Sequence, residues 1–492
     1  MNVSEELRSL LGRRAIQLIA LAGLLVWVAK VAVDWKYCVR DPDVWWHLKV
    51  GDWIIEHSAV PHNGIFSRTA LDRPWVAYSW GFEVLLSRAY HWFGLMGLGL
   101  FGVLLTLAIA YAEFWSLRRL SGCFWEAWLL AICSLYPFLF KLMPRPVFVS
   151  ILLYMVLLTV LLEANRSGRA KSLYWLPIIF LVWANIHIQF VYGLFVLGLF
   201  VVCQLALRWA ERINVAPAAL SLASLPAKPL ALIFGACVVA TFIGPYSYHL
   251  YQVVFLYSKA KYPYEIIIEL QPLSFRIGNH FVQLLLTAAG FSAVAWRKKL
   301  DLFKLALMIA ASFLAFRTVR DCWFVSITAA AFIADFPAPE FKRVQGESLA
   351  EGGVLLATVA FFLFLLSRNF GFNELSLDQT VSSQFPVDAA NYMRHNPLPA
   401  PLYNDLGWGG FLIWYMPQFP VAIDGRNDLY GDELDRIFYK AQNGLAYKND
   451  PYLFQSGCVL LSKAYPLATL LRFHPRFVLV YEDPIAVVYA RR

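Results

Sequence analysis

Asp41-Pro42-Asp43-Val44-Trp45-Trp46-His47 follows directly on an apolar run, 15–33, that is long enough to cross a bilayer. It puts two carboxylates, two indoles and an imidazole where a membrane chain has just come out on the far side. Asp41 before Pro42 is a helix start, because the carboxylate can cap orphan N–H groups and proline fits the first helical position, which needs no donor. In the helix that follows, Trp46, Val50, Trp53 and Ile54 repeat at helical spacing, while Lys49, Asp52 and Glu56 form a separate polar row. That pattern predicts a helix lying in the membrane interface, with the acidic pair at the bilayer surface.

Composition agrees with a chain built for lipid. Apolar residues make up 59% and charged residues only 15%, with a mean hydropathy of +0.56, against about 25% charged in soluble domains. The 38 Phe, 24 Tyr and 18 Trp suit interfacial belts. The net charge of +9 is read by position, as orientation in the membrane, and does not call for a nucleic-acid partner. Seven cysteines show no metal spacing or disulfide framework, although Cys38 and Cys458 are both candidates for an oxidising side. The charged start runs into a segment of spanning length and lacks a small-residue cleavage site, so no cleavable signal is expected.

Apolar runs of spanning length fall at 15–33, 92–115, 124–142, 146–163, 173–187, 190–208, 230–245, 280–296, 302–316, 322–336 and 351–367. The last two before 351 are short enough to be re-entrant instead. Basic clusters occupy alternate loops: Arg8/Arg13/Arg14, Arg118/Arg119, Arg166/Arg169/Lys171, Arg208/Arg212/Lys228, Arg297/Lys298/Lys299 and Lys342/Arg343. If all eleven runs cross, every cluster lies on one side, which predicts a cytoplasmic N-terminus and an outer C-terminus. The expected architecture is a polytopic α-helical membrane protein of about eleven transmembrane helices. Its transmembrane domain, 1–367, has an outer loop at 34–91 carrying the acidic motif; a small extracytoplasmic α/β domain, 368–492, follows. A second outer segment spans 246–279, and 212–229 reads as a cytoplasmic linker. In the C-terminal stretch helices are expected near 386–396, 431–442 and 466–473, and strands near 420–424, 457–462, 476–481 and 485–490.

The Asp41–Lys49 stretch resembles the acidic, aromatic, His-Leu-Arg motif in the first outer loop of oligosaccharyltransferase catalytic subunits. These belong to the GT-C superfamily, the multi-spanning glycosyltransferases that use polyprenyl-phosphate-linked sugars. A wider resemblance, to bacterial membrane proteins of that superfamily, rests on Gly51-Asp52-Trp53 through His57 and Pro61, Arg145-Pro146, Trp183-Ala184-Asn185-Ile186-His187, Tyr403-Asn404-Asp405-Leu406-Gly407-Trp408-Gly409-Gly410 and Ile423-Asp424-Gly425-Arg426. It implies an inverting hexosyl- or pentosyltransferase in a bacterial inner membrane. The expected partners are a polyprenyl-phosphate-linked sugar, a lipid or glycan acceptor and membrane lipids.

Such chemistry needs a carboxylate to take the acceptor's proton and a cation to hold the leaving phosphate. Asp41 or Asp43 can be the base, the other orienting the acceptor or, for Asp43, holding a divalent cation such as Mg or Mn. His47 lies one helical turn from Asp43. The alternatives are an Asp41 that only caps its helix and a His47 that only packs. Arg145, Arg317 and Arg320 sit at outer ends of runs against the positive-inside bias and are candidate phosphate ligands; Arg317 and Arg320, at i and i+3, can share a helix face. Against this stands snorkelling, with Arg320 paired to Asp321. His187 beside Asn185 and Gln189 is a further candidate, or an interhelical hydrogen bond. Glu265 and Glu269, one turn apart if helical, make a second acidic site or a solvated face. Asp405, Asp424 and Arg426 face an acceptor, a domain interface, or simply their own turns. Two other classes stay open: a polymerase or ligase of lipid-linked glycans, and a transporter or scaffold for envelope polysaccharide assembly.

Overall fold

The computed structural model describes residues 3–139, 143–214, 220, 225–297, 299–336, 356, 360, 364 and 372–492, without the side chains of 3–13, 35 and 37. The apolar run 351–367, apart from 356, 360 and 364, lies outside the described residues, as do Lys298, Lys342 and Arg343. The chain divides into two compact units, each assembled from separated stretches: unit 1 from 1–35, 102–244 and 268–371, and unit 2 from 36–101, 245–267 and 372–492.

Helix α1 (Val3–Trp35) belongs to unit 1; α2 (Tyr37–Arg40) and α3 (Pro42–His57) open unit 2. Helix α4 (Trp80–Ser121) passes from unit 2 into unit 1 and breaks at Phe93 and Gly94. Gly94 has φ of 60°, and the Glu374 carboxylate accepts from the N–H groups of Leu95 and Met96 at 3.0 Å, so a distant side chain caps the restarted helix. Unit 1 continues with α5 (Phe124–Leu139), α6 (Val147–Ser167), α7 (Leu176–Ile186), α8 (Phe190–Arg212) and α9 (Ala227–Ala240). Unit 2 resumes with α10 (His249–Lys259) and α11 (Tyr262–Ile266), and unit 1 closes its described part with α12 (Gly278–Ala295), α13 (Leu302–Arg317) and α14 (Cys322–Ala334).

Ten of the eleven apolar runs thus coincide with helices. Among the described residues, Arg14–Arg40, Trp80–Ser121, Val147–Ser167 and Phe190–Arg212 are long and apolar enough to cross a bilayer, and shorter apolar helices accompany them. The chain is a polytopic helical membrane protein. Within unit 1, Asp335 at the end of α14 gathers Arg166, Arg297 and the buried Lys304. A buried cation needs such a partner, and this one joins the ends of helices distant in sequence.

The rest of unit 2 is α/β: α15 (Glu374–Gln384), α16 (Val387–His395), β1 (Leu402–Asn404), α17 (Gly409–Tyr415), α18 (Asn427–Gln442), α19 (Pro451–Gln455), β2 (Cys458–Ser462), α20 (Pro466–Arg472), β3 (Phe477–Glu482) and β4 (Ala486–Arg491). The sheet order is β1-β2-β4-β3, with β1 parallel to β2 and the other pairs antiparallel. The strand expected at 420–424 is not a sheet member: Val421 makes only an isolated bridge to Ser67, and the missed strand is Leu402–Asn404. Asn404 explains the exchange, because its side chain binds the Ala422 N–H and the Ile423 carbonyl, satisfying the 420–424 backbone without a ladder. All seven cysteines are free thiols, Cys38 and Cys458 among them.

Candidate functional site

Helix α3 starts as its sequence dictates. Asp41 is the N-cap in extended conformation, and its Oδ1 accepts from the Asp43 N–H at 3.1 Å, with Pro42 in the first turn. The two carboxylates then differ in surroundings. Asp41 is 2% exposed, whereas Asp43 is half-buried and its Oδ1 accepts from Trp46 Nε1 at 3.1 Å. Glycines press a second segment onto this turn. A Cβ on Gly425 would stand 2.2 Å from Asp43 Oδ1, and one on Gly410 would stand 2.4 Å from the Pro42 carbonyl oxygen. The Gly409-Gly410 and Asp424-Gly425 pairs therefore permit the close approach that fixes Asp43.

The helix is not an interfacial stripe. Trp45 is buried among Phe385, Phe411 and Trp414, and Asp52, expected in a solvated row, is buried and bound by Ser87 Oγ at 2.7 Å and His91 Nε2 at 2.9 Å. Packing against α17 and the start of α4 covers both faces. His47 is buried as well, its Nδ1 hydrogen-bonded to Glu83 Oε1 at 2.9 Å. Glu83 was not a candidate from sequence; nothing in its local pattern points back to His47, and only the fold pairs them. Among the described residues its Oε2 has no hydrogen-bond partner.

Behind Gly425, Asp424 and Arg426 form a fully buried fork: Nε to Oδ1 at 2.8 Å and Nη2 to Oδ2 at 2.6 Å, with Tyr430 donating to Oδ2 at 2.6 Å. Arg426 also donates to the Ile65 carbonyl at 2.9 Å and stacks 4.8 Å from Trp75. Such a pair is costly to break, and it holds the backbone at Gly425 in place. Asp405 binds the N–H groups of Gly407 at 2.7 Å and Ser462 at 3.3 Å, and burial, outweighing those donors, raises its carboxyl to about 6. Asp405, Asp424 and Arg426 all serve turns inside unit 2.

In unit 1, the structure joins Arg145, Glu269 and Arg320. Both guanidiniums bind the same oxygen, Glu269 Oε1, Arg145 at 3.2 Å and Arg320 at closer range. Burial raises the Glu269 carboxyl, but the Arg320 and Arg145 charges prevail and hold it at about 2. Arg320 thus pairs with Glu269 rather than with Asp321, whose carboxylate takes Thr318 Oγ1 at 2.7 Å, Tyr192 at 3.2 Å and Gln189 at 3.5 Å. Arg317 ends α13 and is exposed. The shared helix face expected for Arg317 and Arg320 is not formed, because Thr318 is extended and Arg320 lies in a separate turn, Val319–Asp321. Nor are Glu265 and Glu269 on one helix: Glu265 is exposed in α11, extended Ile267 follows, and Glu269 sits in the Ile268–Leu270 turn. His187 Nδ1 is 2.8 Å from Ser150 Oγ, which also accepts from Trp183 Nε1 at 2.7 Å, an interhelical bond between α6 and the end of α7.

Among the described residues no three or more His, Cys, Asp or Glu side chains are grouped to hold a metal ion. Asp41 Oδ1 caps the helix and Asp43 Oδ1 accepts from Trp46 Nε1.

No protein-family model matches the chain, and no curated protein matches it by sequence. Solved structures do. The oligosaccharyltransferase of Archaeoglobus fulgidus, tethered to an acceptor peptide, superposes with a TM-score of 0.51 over 96% of this chain and 74% of its own, at 12% identity. ArnT from Cupriavidus metallidurans matches both bound to undecaprenyl phosphate (TM-score 0.48, 14% identity) and in the apo state (0.48, 15%), each over 95% of this chain and 97% of that one.

Proposed function

Because the chain has the fold of the GT-C superfamily, we propose that it is a membrane glycosyltransferase that moves a sugar from a polyprenyl-phosphate-linked donor to an acceptor on the outer face of the membrane. The observation that carries this reading is the division of labour at the start of α3, where Asp41 is consumed by the cap and Asp43 is half-buried and pinned. Asp43 takes the proton of the acceptor hydroxyl while its oxygen attacks the anomeric carbon. The bond from that carbon to the phosphate oxygen breaks, its electron pair leaves with the phosphate, and the configuration inverts. Within unit 1, Arg145 and Arg320 bind the donor's phosphate, a role that suits planar guanidinium forks. The buried hydrogen bond between His47 of α3 and Glu83 of α4 positions the start of α3.

The reading includes a topology of eleven spans with the N-terminus in the cytoplasm and 368–492 outside, in a bacterial inner membrane. It is supported by assembly: the stretches expected outside, 34–91, 246–279 and 368–492, nearly coincide with those that build unit 2, as segments sharing one side of a bilayer would. The test is turnover by the purified protein in lipid nanodiscs with a panel of polyprenyl-phosphate sugars. Release of polyprenyl phosphate matched by one glycosylated product per event is expected, and no turnover across the panel would sink the proposal.

A further inference from the structure

Two guanidiniums on one carboxylate oxygen are an anion site that already holds an anion. The three side chains come from short connecting segments: Arg145 just before α6, Glu269 in the single 3-10 turn Ile268–Leu270 and Arg320 in the single 3-10 turn Val319–Asp321. They remain reachable, with side-chain exposures of 20% for Arg145, 31% for Glu269 and 38% for Arg320. Arg317 is exposed close by in sequence, so the neighbourhood has three guanidiniums against the carboxylates of Glu269 and Asp321. Asp321 is held by Thr318, Tyr192 and Gln189.

We infer that Glu269 is a built-in competitor: it occupies the Arg145–Arg320 pair as a stand-in for a phosphate, and the donor's phosphate must displace it, moving the Ile268–Leu270 turn. The inference rests on the phosphate role proposed for these arginines. A carboxylate and a phosphate accept from the same N–H forks, but the phosphate brings more acceptor oxygens, so exchange favours the ligand once it arrives. The turn that carries Glu269 is a single 3-10 turn whose backbone bonds include Gln271 N to the Ile268 carbonyl at 3.2 Å and Val319 N to the Gln271 carbonyl at 2.9 Å. With its carboxyl held at about 2, Glu269 stays ionised at any working pH. The lock therefore opens by exchange of anions and not by protonation.

The consequence is measurable with the full chain in nanodiscs and undecaprenyl phosphate as the probe. Glu269→Gln should bind it at least about tenfold more tightly than the unmodified protein, since one charge-assisted competitor is gone, while Arg145→Gln and Arg320→Gln should bind it more weakly. Inorganic phosphate should follow the same order, and phosphatidylglycerol in the nanodisc should not compete. Unchanged or weaker binding by Glu269→Gln, with both arginine variants impaired, would overturn the competitor and leave the phosphate role standing. Unchanged binding in the arginine variants would overturn both, and a gain confined to phosphatidylglycerol would overturn the donor assignment. Should Glu269→Gln fold poorly, hydrogen exchange on the unmodified protein decides: undecaprenyl phosphate should speed exchange of the 268–271 amides, and slower or equal exchange there would refute displacement.

Discussion

Separating Asp41 from Asp43 is the most direct way to test the proposed chemistry, because the two residues look alike in sequence and differ in the fold. Asp41→Asn keeps an oxygen 3.1 Å from the Asp43 N–H, so the cap survives; the expected cost is below about 1 kcal/mol, with transfer reduced a few-fold at most. Asp43→Asn likewise keeps an oxygen for Trp46 Nε1 at 3.1 Å, so melting behaviour should barely change. What it loses is the base, and the expected fall in transfer rate is about 10²–10⁴-fold. Asp41→Ala is the control for the structural term: removing the cap should cost about 0.5–2 kcal/mol, visible in thermal stability more than in turnover of the folded fraction. The assay is release of polyprenyl phosphate from a labelled donor by protein of matched thermal stability. If Asp43→Asn transfers at near the unmodified rate, or Asp41→Asn fails equally at full stability, the assignment of the base is wrong.

Gly425→Ala should mimic much of the Asp43 defect without touching a carboxylate, since its methyl would stand 2.2 Å from Asp43 Oδ1; transfer down about tenfold or more is expected, and an unaffected rate would show that Asp43's position does not matter. Asp405 is raised by burial from its usual 3.8 to about 6, so the folded state binds its proton more tightly. That contribution to stability is full below pH 3.8 and is lost as pH rises through 6; melting temperature scanned across this window should decline less steeply in Asp405→Asn. Arg320→Lys should weaken donor use despite keeping the charge, because a point charge replaces a planar fork; equal donor kinetics would favour a purely structural ion pair. For topology, membrane-impermeant labelling of single cysteines at Ser167 and Asn427 should mark only the second in intact cells.

Composition and periodicity were enough to read a many-helix membrane chain and the start of α3 at Asp41-Pro42, because lipid solvation and capping act within a few residues of where they are written. The close-packing role of the Gly409-Gly410 and Asp424-Gly425 motifs is half local: glycine announces an approach but not its partner, and only folding brings Pro42 and Asp43 against them. Partnerships across the chain are decided by tertiary structure alone. His47 could be paired with Glu83, and Arg320 with Glu269 in place of its neighbour Asp321, only after helices and turns far apart in sequence had been packed together. The exchange of a strand at 420–424 for one at 402–404 has the same origin, since the Asn404 side chain supplies hydrogen bonds that a neighbouring strand would otherwise provide. A side chain's type and local spacing state which bonds it needs; which distant group answers that need depends on how the whole chain excludes water around it.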